Sequence, residues 1–153
     1  MTLCEVFLGL QEALLEDLLR QVSLGKLKTY QLFDRVKTRF RVAKLNQESL
    51  RRLGPRLWER LGQNDEELAS DIAQAVLVSH LDMIVAVLDF LEVPHRDGFF
   101  EKDAKVAEHL KENWQERTFV EFGDKFPRAV LVFYLNHLAH EVNPESALFV
   151  PGP

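Results

Sequence analysis

The sequence predicts an all-α fold, in which a single domain of about six helices forms a bundle. Apolar residues recur at spacings of three and four along nearly every segment, which is the period of an amphipathic helix. Glycines punctuate these segments. Two segments, residues 65–91 and 127–142, are apolar around most of their circumference. This is typical of the buried central helices of a bundle.

Three amphipathic helices are predicted in the first part of the chain. Residues 3–24 carry one apolar stripe, and Thr29 is a suitable N-cap for a second helix. Residues 39–45 partly alternate, so a short strand is the alternative there. The third helix covers about residues 46–61. We expect Gly54 and Pro55 to break it, because proline lacks the backbone N–H and clashes with the preceding turn.

The fourth and sixth helices are predicted to be the central ones. Polar residues are rare in the second half of the fourth, which covers about residues 65–91; from residue 75 onward they are Ser79, His80, Asp82 and Asp89. A charged fifth helix follows over about residues 102–117, and an aromatic linker over 119–126. Pro127 is well placed at the first turn of the sixth helix, which ends near residue 142.

The predicted helical domain covers residues 1–142, and residues 143–153 form a tail that its three prolines keep from being helical throughout. Within the domain, residues 75–82 resemble residues 129–136, with the shared pattern Ala-Val-Leu-Val-x-x-Leu. The match could mark a duplicated helical hairpin. The alternative is that two buried helices draw on the same few apolar residues.

Composition and charge exclude several classes of protein. With 46% hydrophobic residues, 28% charged residues and a net charge of −5, the chain resembles an ordinary globular domain. The single cysteine, Cys4, excludes an intrachain disulfide and a Cys-x-x-Cys site. The N-terminus lacks the basic stretch of a signal peptide, and no apolar run is long enough to span a bilayer. We therefore expect a cytoplasmic protein with no membrane partner.

Basic residues are concentrated in residues 26–60, which hold eleven Lys or Arg against three acidic residues. Within this segment Arg52, Arg56 and Arg60 recur every four residues and form a ridge on the third helix. The ridge could bind phosphates, nucleic acid or an acidic protein. We favour internal neutralisation, because no nucleic-acid motif accompanies the arginines and the net charge repels a polyanion. The expected acidic partners lie on the fifth helix: Glu108, Glu112 and Glu116.

Candidate ligand-binding residues lie on the two central helices. His80 shares an apolar face of the fourth helix, whereas Asp82 points roughly the other way. On the sixth helix, Tyr134 and His137 lie on one side with His140 and Glu141. The structural alternatives are a neutral core histidine for His80 and a polar helix face for the second group.

No motif for a metal, cofactor or nucleophile completes these sets. There is no His-Glu-x-x-His and no pair of Glu-x-x-His motifs, so we predict neither a metal site nor a cofactor. Ser79 lacks the glycines of a nucleophile elbow, and Cys4 has no nearby histidine in sequence. The loop 94–98 is a better candidate for binding a partner, because it exposes His95 and Arg96 on a predicted turn. A simple surface turn is the favoured alternative for this loop.

These observations favour a non-enzymatic helical interaction module that binds a protein partner or itself. The apolar tail residues 148–150 could support a homodimer. The first alternative is a small-ligand-binding protein or enzyme, with a site between the central helices formed by His80, Tyr134, His137 and Asp82. The second alternative is nucleic-acid binding through residues 26–60.

Overall fold

The structure of the protein is a computed structural model that describes residues 2–21, 47–100 and 105–151, and only the backbone of residues 47–53. In this part of the chain it contains eight helices and one short antiparallel hairpin, which confirms the all-α fold. The predicted second helix, with Thr29, and residues 39–45 lie outside the described residues.

The helices and strands are numbered here in chain order. The helices are α1 Leu3–Leu10, α2 Glu12–Arg20, α3 Gln47–Gly62, α4 Glu66–Ser79, α5 Leu81–Phe90, α6 Val106–His109, α7 Trp114–Phe122 and α8 Arg128–Val142. The strands are β1 His95–Arg96 and β2 Phe99–Phe100. The chain forms two compact units, Met1–Ser79 and His80–Pro153. The predicted domain limits at residues 1–142 stay a prediction.

The first unit contains α1 to α4. Helix α1 packs against the other three, and α2 packs mainly against α3. The expected continuous helix over residues 3–24 is wrong, because Gln11 has a φ of 77° and separates α1 from α2. This break lets two short amphipathic helices pack on α3, each through its own buried residues. These are Cys4, Val6, Phe7 and Leu10 in α1 and Leu15, Leu18 and Leu19 in α2.

Helix α3 differs from its prediction at the proline. It continues through Pro55, where we expected a break. A proline inside a helix costs about 3 kcal/mol, but tertiary packing can outweigh this cost. Leu57 and Leu61, two and six residues further on, are fully buried. Gly54 faces α2, where a Cβ atom would lie 3.6 Å from Glu16 and 3.8 Å from Leu19.

The predicted fourth helix over residues 65–91 is in fact two helices. Helix α4 begins after Asp65, whose carboxylate accepts from the Leu68 N–H at 3.1 Å as an N-cap. It ends at Ser79, whose hydroxyl donates to the Ala75 carbonyl at 2.7 Å. Such a side-chain bond competes with the backbone ladder. His80 then has non-helical dihedrals, φ −132° and ψ 41°, and α5 begins at Leu81.

The second unit contains α5 to α8 and the hairpin. The predicted fifth helix over residues 102–117 is also wrong, since α6 has only four residues and α7 extends to Phe122, inside the expected linker. Aromatic packing accounts for the extension. The Phe122 ring lies edge-on to Phe90 at 5.5 Å and 5.7 Å from Phe126, so the last turn of α7 is held against its neighbours.

Helix α8 confirms the sixth predicted helix, with Pro127 as its N-cap. Every residue from Ala129 to Ala139 is buried, as expected for a central helix, so the alternative of a polar face does not hold for Tyr134 and His137. The chain after α8 is non-helical and returns along it. The Asn136 amide donates to the Phe149 carbonyl at 2.8 Å and accepts from the Phe149 N–H at 2.7 Å. This pair of hydrogen bonds docks the tail onto α8.

The two similar segments have different local structures. Residues 75–82 include the break between α4 and α5, whereas residues 129–136 lie within the continuous helix α8. Among the described residues, no single helix is long and apolar enough to cross a membrane. Helices α4 and α5 together would meet that test of length and composition, which buried core helices also meet.

Candidate functional site

The hairpin that follows α5 is built around a two-residue turn. His95 pairs with Phe100 and Arg96 with Phe99, so Asp97 and Gly98 form the connection. Their φ angles are 53° and 93°. Positive φ at both central residues is typical of a type I′ turn, which suits the twist of paired strands and favours Asp-Gly. The predicted turn is therefore the end of a β-hairpin.

The ring of His95 holds this hairpin in place. Its Nδ1 accepts a hydrogen bond from the Gly98 N–H at 3.1 Å, and its Nε2 lies 2.6 Å from a carboxylate oxygen of Asp89 in α5. Because Nδ1 is the acceptor, Nε2 carries the proton that is donated to Asp89. Both ring nitrogens are thus engaged, so His95 positions the hairpin and has no free nitrogen for acid–base chemistry.

Gly98 adds a second constraint. At its position a Cβ atom would lie 3.3 Å from Ile84 and 3.7 Å from Leu81, both in α5. Only a residue without a side chain allows the turn to lie this close to the helix at a φ of 93°. The hairpin is therefore fixed to α5 through Asp89, near one end of that helix, and through Ile84 and Leu81 toward the other.

Arg96 and Phe99 face each other across the two strands, and both are exposed. Phe99 is 62% exposed, the largest exposure of any phenylalanine in the described residues. Directly paired residues project from the same face of a hairpin. Arg96 was predicted as a binding residue, whereas Phe99 was missed. The Asp-Gly dipeptide could have revealed it, since a two-residue turn places the residue after Gly98 opposite Arg96.

A groove lies beside the hairpin. It has a volume of about 420 Å³ and combines four apolar residues with one lysine and one glutamate. Its lining residues are Phe100, Lys105, Val106, Ala107, Glu141 and Val142. Phe100 belongs to β2 and Glu141 to the last turn of α8, so the groove joins the hairpin to the C-terminal end of the buried helix.

Behind Glu141, a row of polar side chains follows one face of α8. Tyr134, His137 and Glu141 have spacings of three and four, and His137 Nε2 lies 3.7 Å from a Glu141 carboxylate oxygen. Burial lowers the pKa of His137 to about 4, helped by the nearby His140, so its imidazole is neutral at pH 7. Burial raises the pKa of Tyr134, with a contribution from Glu141.

The structure brings together two of the four predicted ligand-binding residues. Tyr134 and His137 are neighbours on α8, and both are buried. His80 is half-buried and caps α5, where its carbonyl accepts from the Ile84 N–H at 3.2 Å. Asp82 is exposed in the first turn of α5, where a carboxylate interacts favourably with the helix dipole. Glu141 is the member of this row that also lines the groove.

The basic ridge is only partly described. Arg52 lies in the stretch for which only the backbone is described, and Arg56 and Arg60 are exposed. Arg60 forms two hydrogen bonds with one carboxylate oxygen of Asp65, at 2.8 and 3.2 Å. The expected partners of Arg60 lie on the predicted fifth helix, whereas its observed partner is Asp65, the N-cap of α4 in the same unit.

Cys4 is buried, and its contacts hold helices together. Its backbone N–H donates to the Glu66 carboxylate at 3.0 Å, which links the start of α1 to the start of α4. Burial and the Glu66 carboxylate raise the pKa of the Cys4 thiol to about 12. A thiol with this pKa is protonated at pH 7 and is a weak nucleophile. Within the described residues, no group of three or more His, Cys, Asp or Glu could hold a metal ion.

Comparison of the chain with protein families, with curated proteins and with solved structures found no match.

Proposed function

We propose that this protein is a non-enzymatic helical interaction module, which binds a partner protein through the exposed face of the hairpin. The observation that carries the proposal is the exposure of Phe99, at 62%, on a hairpin held by defined contacts. Aromatic residues are enriched at the centres of protein interfaces, so an exposed phenylalanine on a hairpin held by defined contacts supports this proposal.

The chemistry of the face supports protein recognition. Arginine and aromatic residues carry most of the binding energy in protein interfaces, and Arg96 lies directly opposite Phe99. The hairpin is also preorganised, because His95 bonds to both Gly98 and Asp89. Less conformational entropy is lost on binding when the contacting residues are already fixed.

The same geometry gives less support to the enzyme alternative. His137 is buried and neutral, and both nitrogens of His95 are engaged in hydrogen bonds that hold the hairpin. In the basic segment 26–60, which the nucleic-acid alternative requires, the structure describes the side chains of two arginines, Arg56 and Arg60. Of these, Arg60 is bound to Asp65. A cytoplasmic location stays part of the proposal.

Site-specific photocrosslinking in the source cells tests the proposal. Phe99→p-benzoylphenylalanine places a crosslinker on the proposed face, and Val120→p-benzoylphenylalanine places the same group on α7, at a residue that is 83% exposed. We expect a discrete crosslinked partner from position 99 that is absent from position 120. Adding Arg96→Ala should reduce its yield by about tenfold, as for an interface hot spot.

Two results would overturn the proposal. One is no crosslinked protein from position 99, and the other is the same products from both positions. If the product has twice the mass of the chain, the partner is a second copy. This supports the homodimer form of the proposal and is checked by light scattering on the purified protein.

A further inference from the structure

The groove beside the hairpin combines apolar walls with a carboxylate. Phe100, Val106 and Val142 supply apolar surface, and Glu141 supplies the negative charge. Phe100 follows Phe99 in β2, and successive residues of a strand project to opposite faces. The groove therefore lies on the face of β2 opposite to Phe99, and a partner bound to the Arg96 and Phe99 face must extend around the edge of the hairpin to reach it.

Glu141 has no cationic partner among the described residues. No Lys or Arg nitrogen there lies within 4.0 Å of its carboxylate, and its neighbour His137 is neutral at pH 7. Partial burial raises the pKa of Glu141, and no Lys or Arg among the described residues forms an ion pair with it. The groove therefore contains a carboxylate that a bound cation would stabilise.

Lys105, the basic residue of the groove, does not fill this role. Its Nζ lies 4.0 Å from a carboxylate oxygen of Glu108, and its side chain is 76% exposed. A lysine this exposed can turn away into water when another cation enters. Glu108 also reduces the repulsion that Lys105 would exert on that cation.

The wider field has the same sign as Glu141. Residues 80–153, which form the second unit, hold thirteen acidic and seven basic residues. A net negative unit attracts cationic partners and speeds their association. Charge complementarity therefore favours a basic segment as the occupant of the groove.

We propose that the groove receives a lysine or arginine side chain from a basic amphipathic segment of the partner protein. The aliphatic stem of that side chain packs on Phe100 and Val142, and its charged end forms an ion pair with Glu141. Long basic side chains commonly bury their stems in this way. This inference rests on the proposed function, because it names the chemistry of the partner that the hairpin binds.

Two labelled peptides of about 14 residues test it, one with leucine and lysine at helical spacing and one with the same leucines and glutamate. Binding is measured by fluorescence anisotropy. Glu141→Gln removes the groove charge, and Glu116→Gln on α7 is the matched control with the same change in net charge. Ala107→Trp fills the groove without altering charge, at a residue that is exposed and can accept a larger side chain.

We expect the lysine peptide to bind and the glutamate peptide not to bind. Glu141→Gln should weaken binding about fivefold or more and Ala107→Trp about tenfold, whereas Glu116→Gln should change it less than about twofold. Equal weakening by Glu116→Gln would overturn the inference, because binding would then follow overall charge. Binding that survives Ala107→Trp, or no binding of the lysine peptide at millimolar concentration, would also overturn it.

The two proposals fail separately. If the lysine peptide does not bind but the Phe99 crosslink persists, only the assignment of the groove is wrong. If the crosslink is absent, the proposed function fails whatever the peptides do.

Discussion

In helix α8 the polar side chains of Asn136 and His137 are buried, whereas in the hairpin the apolar side chain of Phe99 is exposed. A buried polar side chain must find hydrogen-bond partners inside the protein, whereas a single exposed apolar side chain needs no such compensation. In α8 the compensation is internal, because Asn136 bonds to Val132 and Phe149. The ring of Phe99, in contrast, is left mostly in contact with water. The contrast agrees with the proposal that the hairpin binds a partner, whereas the buried contacts of α8 stabilise the fold.

The comparison is tested most strongly by truncating one phenylalanine in each region. Phe133→Ala removes a fully buried ring from α8 and should lower the free energy of unfolding by about 3–5 kcal/mol. Phe99→Ala should change it by less than about 0.5 kcal/mol, because its ring is mostly in water. Urea denaturation of both variants gives the two values. Similar losses would show that the hairpin is part of the core.

Asn136→Leu should have the next largest effect. The change removes both hydrogen bonds to Phe149 and one to Val132, and it leaves the part-buried backbone N–H and carbonyl of Phe149 without these partners. We expect a loss of about 2–3 kcal/mol in the free energy of unfolding. Release of the tail should also speed amide hydrogen exchange at Phe149. Asn143→Leu, at the exposed C-cap of α8, is the control and should leave that exchange rate unchanged.

The pH dependence of stability should reveal the burial of His137. Its pKa is about 4 in the folded protein and near 6.5 in an unfolded chain, so the unfolded state binds a proton first as the pH falls. Stability should thus decline from about pH 6.5 downwards, by about 2 kcal/mol at pH 5. The decline from this group is complete below pH 4.

His137→Gln should remove this part of the pH dependence in urea titrations between pH 7.5 and 4.5. His109→Gln, in α6, serves as the control and should retain the wild-type decline. If the two variants and the wild type lose stability in parallel, His137 is not the group responsible.

The smallest expected effect concerns the attachment of the hairpin to α5. Gly98→Ala places a Cβ 3.3 Å from Ile84 at a φ of 93°, and should cost about 1–2 kcal/mol. Gly62→Ala is the control, since no atom lies within 4 Å of the added Cβ and its φ is in the ordinary range. That change should be neutral or stabilising. Thermal unfolding of the two variants distinguishes the outcomes, and equal melting temperatures would contradict a close approach of the turn to α5.

Helix α8 and the hairpin turn show how far the sequence could lead. The periodicity from residue 128 to 142 and the proline before it were enough to predict α8. Asp97 and Gly98 were enough to predict a turn, though not the two strands beside it. Arg96 and His95 were predicted as binding residues from that turn alone. Their different roles, one exposed and one clamping the hairpin, depend on Asp89 and could not be deduced from spacing.

The groove could not be predicted, because its lining comes from three separate segments of the chain. The sequence places Glu141 on one side of α8 with Tyr134 and His137, and the structure shows these three residues along one face of the helix. The apolar partners of Glu141, such as Phe100 and Val106, lie at least 35 residues away in sequence. Nothing in the local pattern connects them.

By itself the sequence determined that the protein is all-α, where α8 begins and ends, and that a turn follows α5. These features depend on residues three or four apart, which interact within one helix or one turn. The tertiary structure alone decided that helices break at Gln11 and His80 and that Pro55 does not break α3. It also decided that His137 is buried and Phe99 exposed. Those outcomes depend on which surfaces pack together, and packing energies are large enough to override local preference.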